Sequence, residues 1–190
     1  MFMLYAILIG LLAGRLMGGS VANLGSLRIQ WAPLAVLGLL TQVVLFFGPV
    51  AERIGDLGMP IYVASTALVL AVVLRNLRVP GLGLVAAGAI SNLLAIVANG
   101  GYMPASAAAL ALLGKEVNPG YSNSAVVQSP ALAPLTDVFA LPPFVPFANV
   151  FSIGDVLIAI GVAVVIASGM RGGAHGHLAP KYPRPGTTES

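Results

Sequence analysis

Two aspartates, Asp137 and Asp155, are the residues of this chain whose type and spacing are best suited to catalysis. Both are expected near the same boundary of a membrane, and eighteen positions separate them. Two carboxyl groups held close together do not both ionise readily, so one stays protonated while the other is charged. Such a pair can act as acid and base on one water molecule. One hypothesis is therefore a membrane-embedded hydrolase that acts on a lipidated or peptide substrate.

A structural role explains part of the same cluster. Ser152 precedes Asp155 by three positions at the start of an apolar segment. This spacing is that of a capping box, with an acidic residue in place of the usual Glu or Gln. The carboxylate would then lie in the first turn of a helix, where the helix dipole stabilises it. Ser152 and Asp155 are thus accounted for without any activity.

The stretch from Pro146 to Gly161 resembles the last-helix motif of lipoprotein signal peptidases. In that family an Asn-x-Ala-Asp element precedes the helix, and a partner aspartate lies a comparable distance upstream. The matching positions here read Ser152-Ile153-Gly154-Asp155, so the aspartate is retained. The family's Asn-x-x-Asp-Arg element before the first aspartate is missing. The resemblance implies that Asp137 would be the partner of Asp155.

The elements that must position these residues are apolar segments suited to lipid. Only fifteen of the 190 residues are Asp, Glu, Lys or Arg, of which nine are basic and six are acidic. Hydrophobic residues make up 58% of the chain. A soluble domain carries far more charge. Crossing a hydrocarbon core takes about 20 helical residues, and short segments are accommodated by flanking residues or local thinning. We count five predicted spans: Phe2–Met17, Ala32–Val50, Pro60–Leu74, Leu82–Ala98 and Val150–Met170. The alternative is four spans, with the third segment only dipping into the membrane.

The arginines predict the orientation of these spans. Cytoplasmic loops are enriched in Lys and Arg. The first connection, the third connection and the tail hold most of the basic residues, namely Arg15, Arg28, Arg75, Arg78, Arg171, Lys181 and Arg184. The sequence therefore predicts a multi-pass protein of the bacterial cytoplasmic (inner) membrane, with its N-terminus outside and its C-terminus cytoplasmic.

The connection between the fourth and fifth spans is unusually long and rich in proline. It runs from Gly100 to Asn149 and contains seven of the fourteen prolines. Loops of this length are usually functional or disordered, and the many apolar residues here argue against disorder. Aromatic rings are favoured at membrane interfaces. The candidate ligand or partner-binding residues are Asn92, Asn99, Tyr102, Phe139, Phe144, Phe147 and Asn149.

Small residues recur at four-residue spacing in three of the spans. They predict faces along which helix backbones approach closely, either within the chain or in a dimer. The predicted packing residues are Gly10, Gly14, Gly18, Gly83, Ala87 and Ser91, with Ala159, Ala163 and Ala167 in the last span. The amides of Gln42, Asn92 and Asn99 would lie at membrane depth and are expected to point into the bundle.

The chain more closely resembles a family of uncharacterised bacterial multi-pass membrane proteins. Its two elements are present as Asn99-Gly100-Gly101-Tyr102-Met103-Pro104 and Asn149-Val150-Phe151-Ser152-Ile153-Gly154-Asp155. The resemblance covers about residues 4 to 170 and implies an inner-membrane location. It brings no activity or ligand with it.

The sequence thus predicts an all-α bundle of about five transmembrane helices at residues 1–171. Residues 100–149 would form an outer cap loop, and residues 172–190 a disordered cytoplasmic tail. The leading hypothesis is non-catalytic binding of a lipid-like molecule or a membrane protein partner through the outer loop. The hydrolase and a small transporter are alternatives. We expect no nucleic acid partner and no cofactor. We also expect no metal site, since His175 and His177 lie in the tail and the chain has no cysteine.

Overall fold

The structure is a computed structural model that describes residues 2–114, 124, 125, 127 and 129–172. The predicted disordered tail, including His175 and His177, lies outside the described residues from position 173 onward.

The described chain is mostly helical. Seven α-helices are joined by short connections and by three 3-10 turns at Val21–Ser26, Gly55–Leu57 and Ala133–Leu135. The helices are α1 Phe2–Leu16, α2 Ala32–Leu45, α3 Gly48–Ala51, α4 Gly58–Arg75, α5 Leu82–Ala98, α6 Ala107–Leu113 and α7 Ile153–Met170.

By length and composition alone, two helical segments of the described chain are suited to crossing a membrane. They are Gly55–Arg75, with 21 residues, and Ile153–Met170, with 18. Three further helices are apolar but shorter: Met3–Leu16, Ala32–Leu45 and Leu82–Ala98. The second predicted span is divided, because Gly48 and Pro49 begin the separate helix α3. Proline suits the first turn of a new helix and disrupts the interior of a longer one.

The five long helices pack in an order that differs from their order in the chain. The last helix, α7, lies between α1 and α5, while α4 lies between α5 and α2. The spatial order is thus α1, α7, α5, α4, α2. Because α7 packs against helices on both sides, these contacts determine where its first turn lies.

Glycines permit the closest helix contacts. A Cβ at Gly10 would lie 2.9 Å from the backbone of Ala163, and one at Gly14 would lie 3.2 Å from the Cα of Ala167. Between α5 and α7, a Cβ at Gly161 would lie 2.7 Å from the carbonyl oxygen of Gly81. Helix backbones this close exclude larger side chains.

The predicted small residues of α5 are placed differently from those of α1. Gly83 has open space around its Cβ position, and Ala87 is exposed. Ser91 is partly buried, with a buried hydroxyl oxygen that has no hydrogen-bond partner in the described chain. The face that α5 presents to α7 is instead formed by Gly81, Val85, Gly88 and Asn92. Gly18 follows α1 in a turn with φ +77° and has no neighbour at its Cβ position.

The connection from residue 100 to 149 contains short strands that an all-α prediction omits. Strand β1 (Met103–Pro104) pairs in parallel with β2 (Ser124–Ala125), and β3 (Phe139–Ala140) pairs antiparallel with β4 (Val150–Phe151). Each ladder joins segments that are distant in sequence, which is why local patterns do not reveal it. The β1–β2 ladder lies within this connection, here called the outer loop, and the β3–β4 ladder ties the outer loop to the start of α7.

The opposite end of the molecule is held together by polar contacts among the short connections. Gln30 and Asn76 exchange hydrogen bonds of 2.8 and 2.9 Å, which join the connection before α2 to the one after α4. The carbonyl of Met170 accepts from Ser20 N and Asn23 Nδ2. Most of the described arginines lie at this end: Arg15, Arg28, Arg75, Arg78 and Arg171, whereas Arg53 lies at the other.

Candidate functional site

The first turn of α7 carries the predicted capping box. Ser152 Oγ accepts a hydrogen bond of 3.0 Å from the backbone N–H of Asp155, and Asp155 Oδ2 accepts one of 3.0 Å from the N–H of Ser152. Ser152 is fully buried. The sequence prediction of a helix start at this position is confirmed.

Asn92 of α5 completes this network from the neighbouring helix. Its Nδ2 donates to Asp155 Oδ1 at 2.9 Å, and its Oδ1 accepts from Ser152 Oγ at 2.8 Å. Gly154 makes this approach possible, because a Cβ at that position would overlap the Asn92 amide oxygen. Both carboxylate oxygens of Asp155 therefore have a donor, and the network crosslinks α5 to α7.

Asp137 reaches the same region from the outer loop. Its backbone N–H donates to Pro104 O at 2.9 Å, and its carbonyl accepts from Ser106 N at 2.9 Å. Only 7% of the residue is exposed. Its Oδ1 is buried without a hydrogen-bond partner in the part of the chain that the structure describes. A buried carboxyl oxygen left unpaired favours the protonated, neutral form of the group.

The electrostatics of Asp137 agree with this geometry. Burial, together with a smaller contribution from the negative charge of Asp155, raises the pKa of Asp137 from 3.8 to about 7. Desolvation and a like charge both disfavour ionisation. The two aspartates are thus close enough to interact, and Asp137 can hold or release a proton near neutral pH.

The remaining predicted binding residues are spread over the outer loop. Asn99 secures the loop, since its side chain donates to Ala131 O at 2.9 Å and accepts from Ala131 N at 2.8 Å. Phe139 stacks on Phe151 with ring centroids 5.5 Å apart. The other four are exposed at the surface: Tyr102, Phe144, Phe147 and Asn149, with Phe144 at 85%.

A second feature, which the sequence did not indicate, is an apolar groove between α1 and α7. Its volume is about 800 Å³, within the usual range for small-molecule sites. We call it the α1–α7 groove. It is lined by Tyr5, Ala6, Ile9, Ala13 and Met17 in and just after α1, by Leu141 and Val145 of the outer loop, and by Val156, Ala159, Ile160, Ala163, Val164, Ala167, Ser168 and Arg171 in and just after α7.

The outer loop covers one end of this groove. Tyr5 Oη donates to the carbonyl of Pro146, beside the lining residue Val145. Along the helices the groove is open to the surface, because Ile9 and Ile160 are 60% and 49% exposed. The predicted ligand-binding residues do not line it. Small-residue spacing in α1 and α7 was the available signal, but it did not specify that these two helices are neighbours.

Comparison with known proteins identifies the family but not the role. The chain belongs to DUF5317, a family of unknown function, which matches residues 26–167. This agrees with the expected membership of an uncharacterised family. No curated protein and no solved structure matches the chain.

Proposed function

We propose that this chain is a multi-pass membrane protein in which α1, α2, α4, α5 and α7 span the bilayer. Two of the helices have sufficient length, and the other three are apolar. At 1.5 Å per residue, the 15 residues of α1 extend about 22 Å, against a hydrocarbon core of about 30 Å. Flanking residues and local thinning compensate for such a difference.

The orientation we propose follows from the distribution of arginine. Five arginines of the described chain lie at the end formed by the first and third connections and the end of α7, whereas Arg53 lies at the other. Basic residues concentrate on the cytoplasmic side of bacterial membrane proteins. The outer loop would then be extracytoplasmic, the N-terminus outside and the C-terminus in the cytoplasm.

Within this frame, we propose that the protein binds a lipid-like molecule, with its acyl chain in the α1–α7 groove under the outer loop. The groove itself carries this proposal. It is large enough for a ligand, its lining is almost entirely apolar, and the outer loop supplies Leu141 and Val145 to one end. Sites for small molecules are typically concave and apolar with few polar groups.

Filling the groove tests this function. Val164 lines the groove and is 38% exposed, so Val164→Trp adds bulk to the groove at a position that is not buried. Val43 is exposed on α2, away from the groove, and Val43→Trp is the matched control. We expect native mass spectrometry in mild detergent to detect one retained lipid on the wild type and on Val43→Trp, and a loss on Val164→Trp. Equal retention by both variants, or none by the wild type, would refute the proposal.

A second candidate, an aspartyl hydrolase, is favoured by the unpartnered Oδ1 of Asp137 beside Asp155. In this reaction one carboxylate would take a proton from water while the other carboxyl donates a proton to the leaving group. The hydrogen bonds at both Asp155 oxygens compete with this role. Asp137→Asn would abolish turnover of a lipidated peptide if the pair is catalytic, and would leave lipid retention unchanged.

A further inference from the structure

We infer that the α1–α7 groove selects an anionic lipid, whose headgroup phosphate pairs with Arg171 at the end of the groove opposite the outer loop. This inference rests on the proposed lipid-binding function and specifies the class of lipid. It is carried by the position of Arg171, the one charged side chain among the described residues that line the groove, at one end of an almost entirely apolar lining.

The lining residues of α7 form one stripe that ends at Arg171. Val156, Ile160, Val164 and Ser168 recur every four residues, and Arg171 follows three residues later. Residues at this spacing share one helix face. At 1.5 Å per residue the stripe extends about 22 Å, so an acyl chain lying along it has one end near Arg171 and the other under the outer loop.

The two ends of the groove differ in polarity. At the outer-loop end the lining residues are Leu141, Val145 and Tyr5, and the Tyr5 hydroxyl already donates to Pro146. At the other end Arg171 is exposed, and it is the only charged side chain among the described residues that line the groove. A chain with one polar headgroup therefore fits with its headgroup at Arg171.

Local acceptors at the end of α7 are already used. The carbonyl of Met170 accepts from Ser20 and Asn23, and the carbonyl of Ser168 accepts from the backbone N–H of Arg171. A guanidinium presents a planar fork of donors that matches the oxygens of a phosphate.

Arg15 provides a matched comparison. It lies in the last turn of α1 at the same end of the molecule, and it is exposed. It is absent from the lining of the groove, whereas its neighbours Ala13 and Met17 belong to it. Substituting Arg15 changes the charge at this end of the molecule equally but leaves the groove intact.

The test offers two lipids to the full-length protein at once. Phosphatidylglycerol and phosphatidylcholine are added in equal amounts to the detergent-solubilised chain, and bound lipids are identified by native mass spectrometry. One arginine near an anionic headgroup predicts about a fivefold preference for phosphatidylglycerol. Arg171→Gln should remove the preference while a lipid remains bound, and Arg171→Lys and Arg15→Gln should keep most of it.

The outcomes separate this inference from the function it rests on. Retention of neither lipid by the wild type would overturn the binding function itself. Retention without a headgroup preference, or a preference that survives Arg171→Gln, would overturn only the inference. Displacement of bound lipid by glycerol phosphate, which has no acyl chain, would also contradict it, because it would show that the groove does not hold the chain.

Discussion

The two aspartates at the start of α7 and in the outer loop differ in what their carboxyl oxygens contact. Asp155 accepts a hydrogen bond at each oxygen, from Asn92 and from the backbone of Ser152. Asp137 is buried, and its Oδ1 has no partner in the described part of the chain. The backbone of Asp137 is bonded to Pro104 and Ser106. The protonation state of Asp137 is therefore linked to the backbone hydrogen bonds that anchor this part of the outer loop.

This arrangement predicts a stability that depends on pH. The carboxyl of Asp137 has a pKa of 3.8 when unperturbed and about 7 in the fold, because of burial and the charge of Asp155. Between these values the folded state retains a proton that the unfolded state releases, so stability decreases as pH rises through this interval and levels off above it. The full effect is at most about 4 kcal/mol.

Thermal unfolding of the detergent-solubilised protein over a series of pH values measures this effect. Asp137→Asn has no titrating group at that position and should flatten the profile. At alkaline pH the variant should be at least as stable as the wild type. If both proteins show the same pH dependence, Asp137 does not carry it.

The sequence was informative about these residues where the interaction is local. Ser152 and Asp155 are three positions apart, so their capping box follows from spacing alone. Asn92 lies 63 positions from Asp155. The sequence predicted that its amide points into the bundle, but its partner depends on how α5 is rotated against α7. The raised pKa of Asp137 likewise requires the folded loop, since it arises from burial.

At the scale of elements, α7 packs against two helices through different faces. Gly154, Ile158, Gly161 and Val165 contact α5, whereas Ala163, Ile166, Ala167 and Met170 contact α1. Both faces contain small residues, which allow close packing where lipid offers no hydrophobic preference for one partner. The contact with α5 positions the start of α7, and the contact with α1 forms the floor of the α1–α7 groove.

Adding a methyl group to the face of α7 that contacts α5 tests whether this close contact is needed for the stability of the protein. A Cβ at Gly161 would lie 2.7 Å from the Gly81 carbonyl oxygen and 2.8 Å from Val85 N, both of which are backbone atoms. We expect Gly161→Ala to destabilise the protein by about 1–3 kcal/mol, because the two helices must move apart.

Gly83→Ala is the matched control for this substitution. Gly83 is also helical but has no atom within 4 Å of its Cβ position. Alanine is intrinsically the better helix former, so this change should be neutral or stabilising by up to about 1 kcal/mol. Midpoints of thermal unfolding, followed by circular dichroism, compare the two. Equal midpoints would mean that close packing of α5 and α7 is not required.

The elements themselves were predictable to different degrees. Apolar length located the five long helices. The short helix α6 begins at Ala107 because Ser106 caps it and accepts from Ala109 N, and it ends before Gly114, which has φ +59°. The strands of the outer loop depend on partners elsewhere in the chain and carry too few residues to show an alternating pattern.

For the whole molecule, the main feature that the sequence did not predict is the order of the helices. Small-residue stripes show that a helix can pack closely, but they do not specify its partner, because apolar side chains contact lipid as readily as protein. The order α1, α7, α5, α4, α2 brings the first and last long helices together. The α1–α7 groove exists only because of that pairing, which is why the residues predicted to bind a ligand lie in the outer loop and at Asn92 and Asn99 and do not line the groove.

The orientation of the whole molecule can be tested without disturbing any helix contact. The chain has no cysteine, so a single introduced cysteine reports one position. Phe144 is 85% exposed on the outer loop, and Leu77 is exposed in the connection between α4 and α5. A membrane-impermeant maleimide should label Phe144→Cys in intact spheroplasts and should label Leu77→Cys only after permeabilisation, because the proposed orientation places the arginine-rich end in the cytoplasm. The unsubstituted chain should remain unlabelled in both conditions. The reverse pattern would place Arg171 on the outer side and invert the molecule, and labelling of both cysteines in intact spheroplasts would show that no membrane separates the two ends.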